Sequence, residues 1–216
     1  MHLLQKMKEK INGMDVVYHG SIEKGLKQLQ PSKVAKHDRA YVYASQNIPL
    51  CVIFAVKRRG EDITVGVNAF GTVYIKEFYD GAFEDRFSGK SCCLYKLPKY
   101  KFKCKTSYLE VVSETPVEVV DCLYIEDSAK FLLELEKRGK LKIYRYKNYN
   151  KNQKDEIDRV LRKSLKQYLG FKKMTAAKYA ALSEHEKMSY DVRKQRHDFC
   201  YSKFPEIMKE LENNQD

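Results

Sequence analysis

The sequence predicts an α+β protein, with a mostly antiparallel sheet domain over residues 1–147 and an α-helical extension over residues 148–216. Three observations carry this expectation. Between Asp15 and Ile125 the apolar residues come in short β-branched and aromatic runs separated by Gly and Pro. Beyond Asn150 they recur at helical spacing. The charge also changes along the chain. Residues 1–139 carry 22 Lys/Arg against 18 Asp/Glu, a net +4, and residues 140–216 carry 19 against 11, a net +8, which accounts for the +12 of the whole 216-residue chain.

Taken in order, residues 1–13 set Leu3, Leu4, Met7 and Ile11 among polar and basic neighbours. That is a short amphipathic helix and not a signal peptide, because it has no continuous apolar centre and no small-residue cleavage site. Strands are expected at Val16-Val17-Tyr18, Tyr41-Val42-Tyr43, Ile63-Thr64-Val65, Val73-Tyr74-Ile75, Cys93-Leu94-Tyr95, Val111-Val112 and through 117–125. Their short connections favour antiparallel pairing. A helix is expected from Ile48 or Pro49 to about Arg59. Pro49 suits the first turn, Ser45 or Asn47 can cap it, and Lys57, Arg58 and Arg59 complement the C-terminal dipole. A second helix follows Asp127 or Ser128, packs Phe131, Leu132 and Leu135, and stops at Gly139. A last strand over 141–146 would close the sheet domain. In the extension, Ile157, Val160, Leu161, Leu165, Tyr168 and Leu169 form one stripe ending at Gly170. Residues 175–182 make a further helix, and Ser183 with Glu186 reads as a capping box opening another that runs towards Phe199. Pro205 begins or kinks the final segment.

With 43% hydrophobic and 32% charged residues, the chain can bury a core and is not a disordered polyelectrolyte. No stretch is long enough to span a bilayer, the longest candidate being 49–56, so a cytoplasmic protein is expected. The six cysteines contain no C-x-x-C pair and several sit in apolar runs, so core packing is expected of most of them. The five histidines do not cluster with them, and no metal site is expected. His185 and His197 read as surface residues. The basic extension suits phosphate polymers, anionic membranes or acidic proteins, and equally a solvated Lys-rich helical surface. The run 99–105, in which Lys alternates with Tyr100, Phe102 and Cys104, reads as a phosphate-contacting strand face or a merely solvated one.

Three segments carry candidate chemistry. Tyr18-His19-Gly20-Ser21 places an imidazole at a strand end, followed by Gly and a hydroxyl. Tyr41-Val42-Tyr43-Ala44-Ser45 leads an aromatic strand into the Pro49 helix. Tyr108-Leu109-Glu110-Val111-Val112-Ser113-Glu114 puts acids on a strand. Each alone reads as ordinary packing or an ordinary surface charge. Between Glu110 and Glu114, Glu110 is preferred because it leads into the apolar pair Val111-Val112.

In this order the three segments resemble the His-Tyr-Glu branch of the ADP-ribosyltransferase superfamily, to which poly(ADP-ribose) polymerases and diphtheria-type toxins belong. They are similar also to a family of small bacterial proteins of unknown role, with a Tyr-His-Gly-Ser start, a Tyr-Ala-Ser/Thr segment and a Val-Ser-x-x-Pro-Val strand. The resemblance covers about residues 15–125. It implies an ADP-ribosyltransferase-like fold for the sheet domain and NAD as substrate. His19 and Gly20 would hold the nicotinamide ribose and amide, with Ser21 as the motif's hydroxyl. Tyr43 would stack on the nicotinamide ring, Phe54 would close its other face, and Glu110 would orient the ribose. The acceptor would be a protein or a nucleic acid, the latter held by the basic extension. It would approach near the turn-rich stretch 81–90 with its Phe83, Arg86 and Phe87, unless that stretch folds those side chains beneath itself. Two other functions fit the same residues: an inactive nucleotide- or nucleic-acid-binding module, and a toxin-like protein whose helical extension docks a partner such as a small acidic antitoxin.

Overall fold

The computed structural model describes residues 15–33, 39–56, 60–102, 104–107 and 109–214, so the amphipathic helix expected over 1–13 lies outside the described residues. The strands are β1 (Val16–Ser21), β2 (Gln28–Leu29), β3 (Ser32–Lys33), β4 (Ala40–Ala44), β5 (Ile63–Val67), β6 (Val73–Glu77), β7 (Cys92–Pro98), β8 (Cys104–Ser107), β9 (Glu110–Ser113), β10 (Val117–Glu118), β11 (Asp121–Ile125) and β12 (Leu141–Tyr144). The helices are α1 (Ile48–Ala55), α2 (Ala82–Phe87), α3 (Ser128–Lys137), α4 (Lys151–Leu165), α5 (Ala176–Ala180), α6 (Glu184–Lys203) and α7 (Pro205–Asn213). This is a mixed α/β chain whose ladders are antiparallel except that between β12 and β6.

The elements gather into two compact units interleaved in sequence, Met1–Val56 with Phe87–Lys140, and Lys57–Arg86 with Leu141–Asp216. An expected boundary at 147/148 cuts the chain once. The contacts cut it three times, because β5, β6 and β12 group with the C-terminal helices.

In the first unit β7 is central. All seven of its residues are buried, Lys96 among them, with β1 and β11 antiparallel on its two sides. A second sheet runs β3-β4-β9-β8, and β2 pairs with β10. Val17, Leu29, Val42, Tyr95, Leu97 and Val117 fill the core. Tyr95 is buried there because its hydroxyl is satisfied: it donates to the Glu23 carbonyl (2.6 Å) and accepts from the Leu26 amide (3.2 Å). The strand expected through 117–125 is broken, because Val119 donates to the Lys27 carbonyl and Val120 to that of Lys96, moving the chain from β2 to β7. Helix α1 ends at Ala55, where Val56 turns extended, and Lys57, Arg58 and Arg59, expected in its last turn, lie outside the described residues. Helix α3 follows the expected signals, with Asp127 accepting from the Lys130 amide and Gly139 at φ +69°. The expected lysine strand over 99–105 is not one element. Lys99–Lys101 forms a 3₁₀ turn, Phe102 turns into the core, and Lys99 pairs with Asp15 at 2.7 Å.

In the second unit β5 and β6 form a hairpin, and β12 lies parallel to β6. The 141–146 strand is thus shorter than expected and joins this sheet. Helix α4 buries Ile157, Leu161 and Leu165 in a cluster with Tyr168, Cys200, Phe204, Met208 and Leu211. Val160, expected on that stripe, is 38% exposed. The Ser183/Glu186 capping box is present and Pro205 opens α7. Residues 81–90 hold the short helix α2, and Phe83, Arg86 and Phe87 are all buried, so they do not form an acceptor-facing loop. Buried charges are held by specific partners. Arg86 pairs with Asp62 at 3.0 Å, and Glu77 accepts from the Phe83 and Tyr146 amides, both at 2.9 Å. Among the described residues no helix is long and apolar enough to cross a membrane.

Candidate functional site

The candidate residues gather where β1, β4 and the start of α1 meet in the first unit. Tyr18 and Ser45 form an isolated antiparallel bridge, with amide-to-carbonyl distances of 2.7 and 2.9 Å. The bridge brings the end of β4 alongside β1, and His19 Nδ1 then lies 2.7 Å from the carbonyl oxygen of Tyr43. A carbonyl can only accept, so Nδ1 carries the proton and a neutral ring presents Nε2 as an acceptor. Burial pushes the His19 pKa below its ordinary value, opposed in part by the bond to Tyr43, and the ring is neutral at pH 7.

Glu110 is the first residue of β9 and is half-buried. In the β4–β9 ladder Tyr43 faces Val112 and Ala44 faces Val111. Since strand side chains alternate, Glu110, Val112 and Tyr43 share one face. The proximity is electrostatic as well as geometric. Burial raises the Tyr43 hydroxyl pKa, and the Glu110 charge raises it further. Tyr41 stands edge-on to the Tyr43 ring at 6.0 Å. Glu114, the alternative acid, lies past the end of β9 in an exposed ion pair with Arg39 at 2.9 Å.

Two residues of which the sequence predicts only a helix cap and core packing, Ser45 and Cys51, hold this arrangement. Ser45 is 4% exposed; its hydroxyl donates to the Leu109 carbonyl and accepts from the Asn47 amide at 3.0 Å. It fixes the residue before Glu110 to the turn that starts α1. The cap itself is Asn47, whose side chain accepts from the Leu50 amide at 3.1 Å. Cys51, in the first turn of α1, donates its thiol to the Tyr18 carbonyl at 3.2 Å. Burial, with some help from the Glu110 charge, pushes that thiol up to about 12, so it stays protonated. A hydroxyl just before an Asn-x-Pro turn is a weak sequence signal for Ser45. Cys51 sits in an apolar run and gives none.

The other expected residues play different parts. Gly20 seats the helix: a Cβ there would fall 2.0 Å from the Cys51 carbonyl oxygen and 2.9 Å from Ala55 Cβ. Ser21 ends β1, and its hydroxyl accepts from the Glu23 amide at 3.1 Å. Phe54 is 67% exposed on a helix whose Cys51, Val52, Ile53 and Ala55 are buried. Strands β1, β4 and β9 therefore bring together an acceptor nitrogen, a carboxylate and an aromatic side chain, while Phe54 stands exposed in the last turn of α1. Among the described residues no three His, Cys, Asp or Glu side chains are grouped to hold a metal ion. The chain matches no protein-family model, no curated protein and no solved structure.

Proposed function

We propose that the first unit has an ADP-ribosyltransferase-like fold, binds NAD and transfers its ADP-ribose to a macromolecular acceptor. The observation that carries this is the bond from His19 to the Tyr43 carbonyl beside the carboxylate of Glu110, three residue types that the resemblance puts in the same chain order. In this reading His19 Nε2 accepts from a ribose hydroxyl, and Tyr43 and Phe54 take the two faces of the nicotinamide. Exposed Phe54 supports this, since a ring left in water on a buried helix is available for stacking. Gly20 and Ser21 line the site through the strand they end. Glu110 hydrogen-bonds the ribose and stabilises the positive charge that develops at the anomeric carbon. The bond from that carbon to the nicotinamide nitrogen breaks, and nicotinamide leaves with the electron pair. The acceptor's nucleophile forms the new bond and gives up its proton.

The test is calorimetric titration with NAD. His19→Ala and Tyr43→Ala should each weaken binding by about tenfold or more, as the loss of one hydrogen bond or one stacked ring does. Glu110→Gln should retain binding and abolish transfer of labelled ADP-ribose. Absence of NAD binding to the intact protein at millimolar concentration would sink the proposal. Binding without transfer by the intact protein would leave a nucleotide-binding module.

A further inference from the structure

The β5–β6–β12 sheet of the second unit has one apolar face and one face of aromatic and basic residues. Val73, Ile75, Leu141 and Ile143 are buried on the first. Residues paired across a ladder share a face, and here Gly66 pairs with Tyr74, Thr64 with Lys76, Tyr74 with Lys142 and Lys76 with Tyr144. Two tyrosines and two lysines therefore alternate as a checkerboard. The Tyr74 ring lies across Gly66, where a Cβ would come within 2.3 Å of its hydroxyl oxygen and 2.4 Å of Cζ. Tyr144 stands edge-on to Tyr74 at 6.0 Å and is 37% exposed. Lys76 Nζ is 5.8 Å from the Tyr74 ring and Lys142 Nζ is 5.9 Å from that of Tyr144. Lys76 also meets Glu156 at 3.3 Å, an exposed contact that a phosphate can replace. The hairpin ends on Phe70, which is 93% exposed, and the tip is held by Asn68 accepting from the Phe70 and Thr72 amides.

We propose that this face binds single-stranded nucleic acid, with bases stacking on Tyr74 and Tyr144 and phosphates set against Lys76 and Lys142. The charge is complementary, since residues 57–86 and 141–216 together carry 23 Lys/Arg against 17 Asp/Glu, a net +6. The rings decide the class of partner. An acidic protein matches the charge but lacks a regular alternation of anionic groups and flat rings, and a duplex keeps its base faces hidden, whereas a single strand presents phosphates and bases in turn. The site belongs to the second unit and shares no residue with the candidate site of the first.

The experiment is fluorescence anisotropy of a labelled oligothymidylate of about 20 nucleotides, titrated with the full chain at about 50 mM salt and above. Tyr144→Ala should weaken binding at least about fivefold, and Tyr144→Phe, which keeps the ring, should stay within about twofold of the parent. Lys142→Gln and Lys76→Gln should each reduce the slope of log affinity against log salt by about 0.7. A duplex of the same length should compete poorly. The proposal is overturned by parental affinity in Tyr144→Ala, or by equal competition from duplex. It is overturned equally if Lys163→Gln on α4 with Lys166→Gln in the 3₁₀ turn that follows it accounts for the whole loss, or if the intact chain does not bind.

Discussion

Replacing Gly20 by Ala tests the seat of helix α1 on strand β1, and through it the frame of the candidate site. The added Cβ would lie 2.0 Å from the Cys51 carbonyl oxygen, 2.7 Å from the Cys51 carbonyl carbon and 2.9 Å from Ala55 Cβ. An ordinary carbon–oxygen contact is about 3.3 Å, so helix and strand must part by roughly 1 Å. Two of the three obstructing atoms are backbone, so no side-chain rotation relieves them. The helix is held on its other side as well, with Val52 and Ile53 fully buried. Parting by that distance forfeits a quarter to a half of each contact's attraction along the interface. Overpacking of this kind costs about 3 kcal/mol, which with a urea slope of about 2 kcal/mol/M lowers the midpoint by about 1.5 M. The assay is urea denaturation followed by circular dichroism, with Ser21→Ala as the control. Ser21 makes one local hydrogen bond, to the Glu23 amide, and its loss should cost about 1 kcal/mol or less. A Gly20→Ala protein within about 0.5 kcal/mol of the parent would refute the packing of α1 on β1 and, with it, the placement of the Tyr18–Ser45 bridge.

Other perturbations read separate parts of the molecule. The folded-state pKa of His19 lies below the ordinary 6.5, so the neutral ring is the one folding favours. Its contribution to stability is complete above the ordinary value and is lost as pH falls through the folded one. Between pH 7.5 and 5 the parent should therefore lose more stability than His19→Gln, whose amide can still donate to the Tyr43 carbonyl; equal losses would contradict the buried neutral ring. The Arg86–Asp62 pair is 5% and 3% exposed at its side chains. Arg86→Met should destabilise by about 3–5 kcal/mol in urea denaturation, because it leaves Asp62 charged in the interior, and adding Asp62→Leu should restore most of the loss. A double variant no better than the single one would show that the charges themselves are not what the interior depends on.

The sequence by itself determined most of the local structure of this protein. The caps at Asp127 and Ser183, the stop at Gly139, the start at Pro205 and the stripe Ile157, Leu161, Leu165 are short-range signals, set by spacing and backbone geometry within a few residues. His19, Tyr43 and Glu110 each alone read as ordinary strand residues, and the order of their three segments is what made them candidates. What only the tertiary structure decided involves distant partners. Residues 141–144 pair parallel with β6, because register is chosen by which apolar faces meet and not by neighbours in sequence. The 99–105 run looks like one alternating strand, yet burying Phe102 in the first unit breaks it. For Arg86 the sequence leaves open an acceptor-facing loop or one that folds its side chains beneath itself, and it is Asp62, 24 positions away, that holds Arg86 in the core. The same holds at the candidate site. The resemblance gives Gly20 a part in holding the nicotinamide, but the packing that requires a glycine there is that of Cys51 and Ala55 of α1, and Ser45 fixes Leu109 from 64 positions away. Hydrogen bonds and close packing between distant segments leave no period in a sequence, and they are what set these side chains in place.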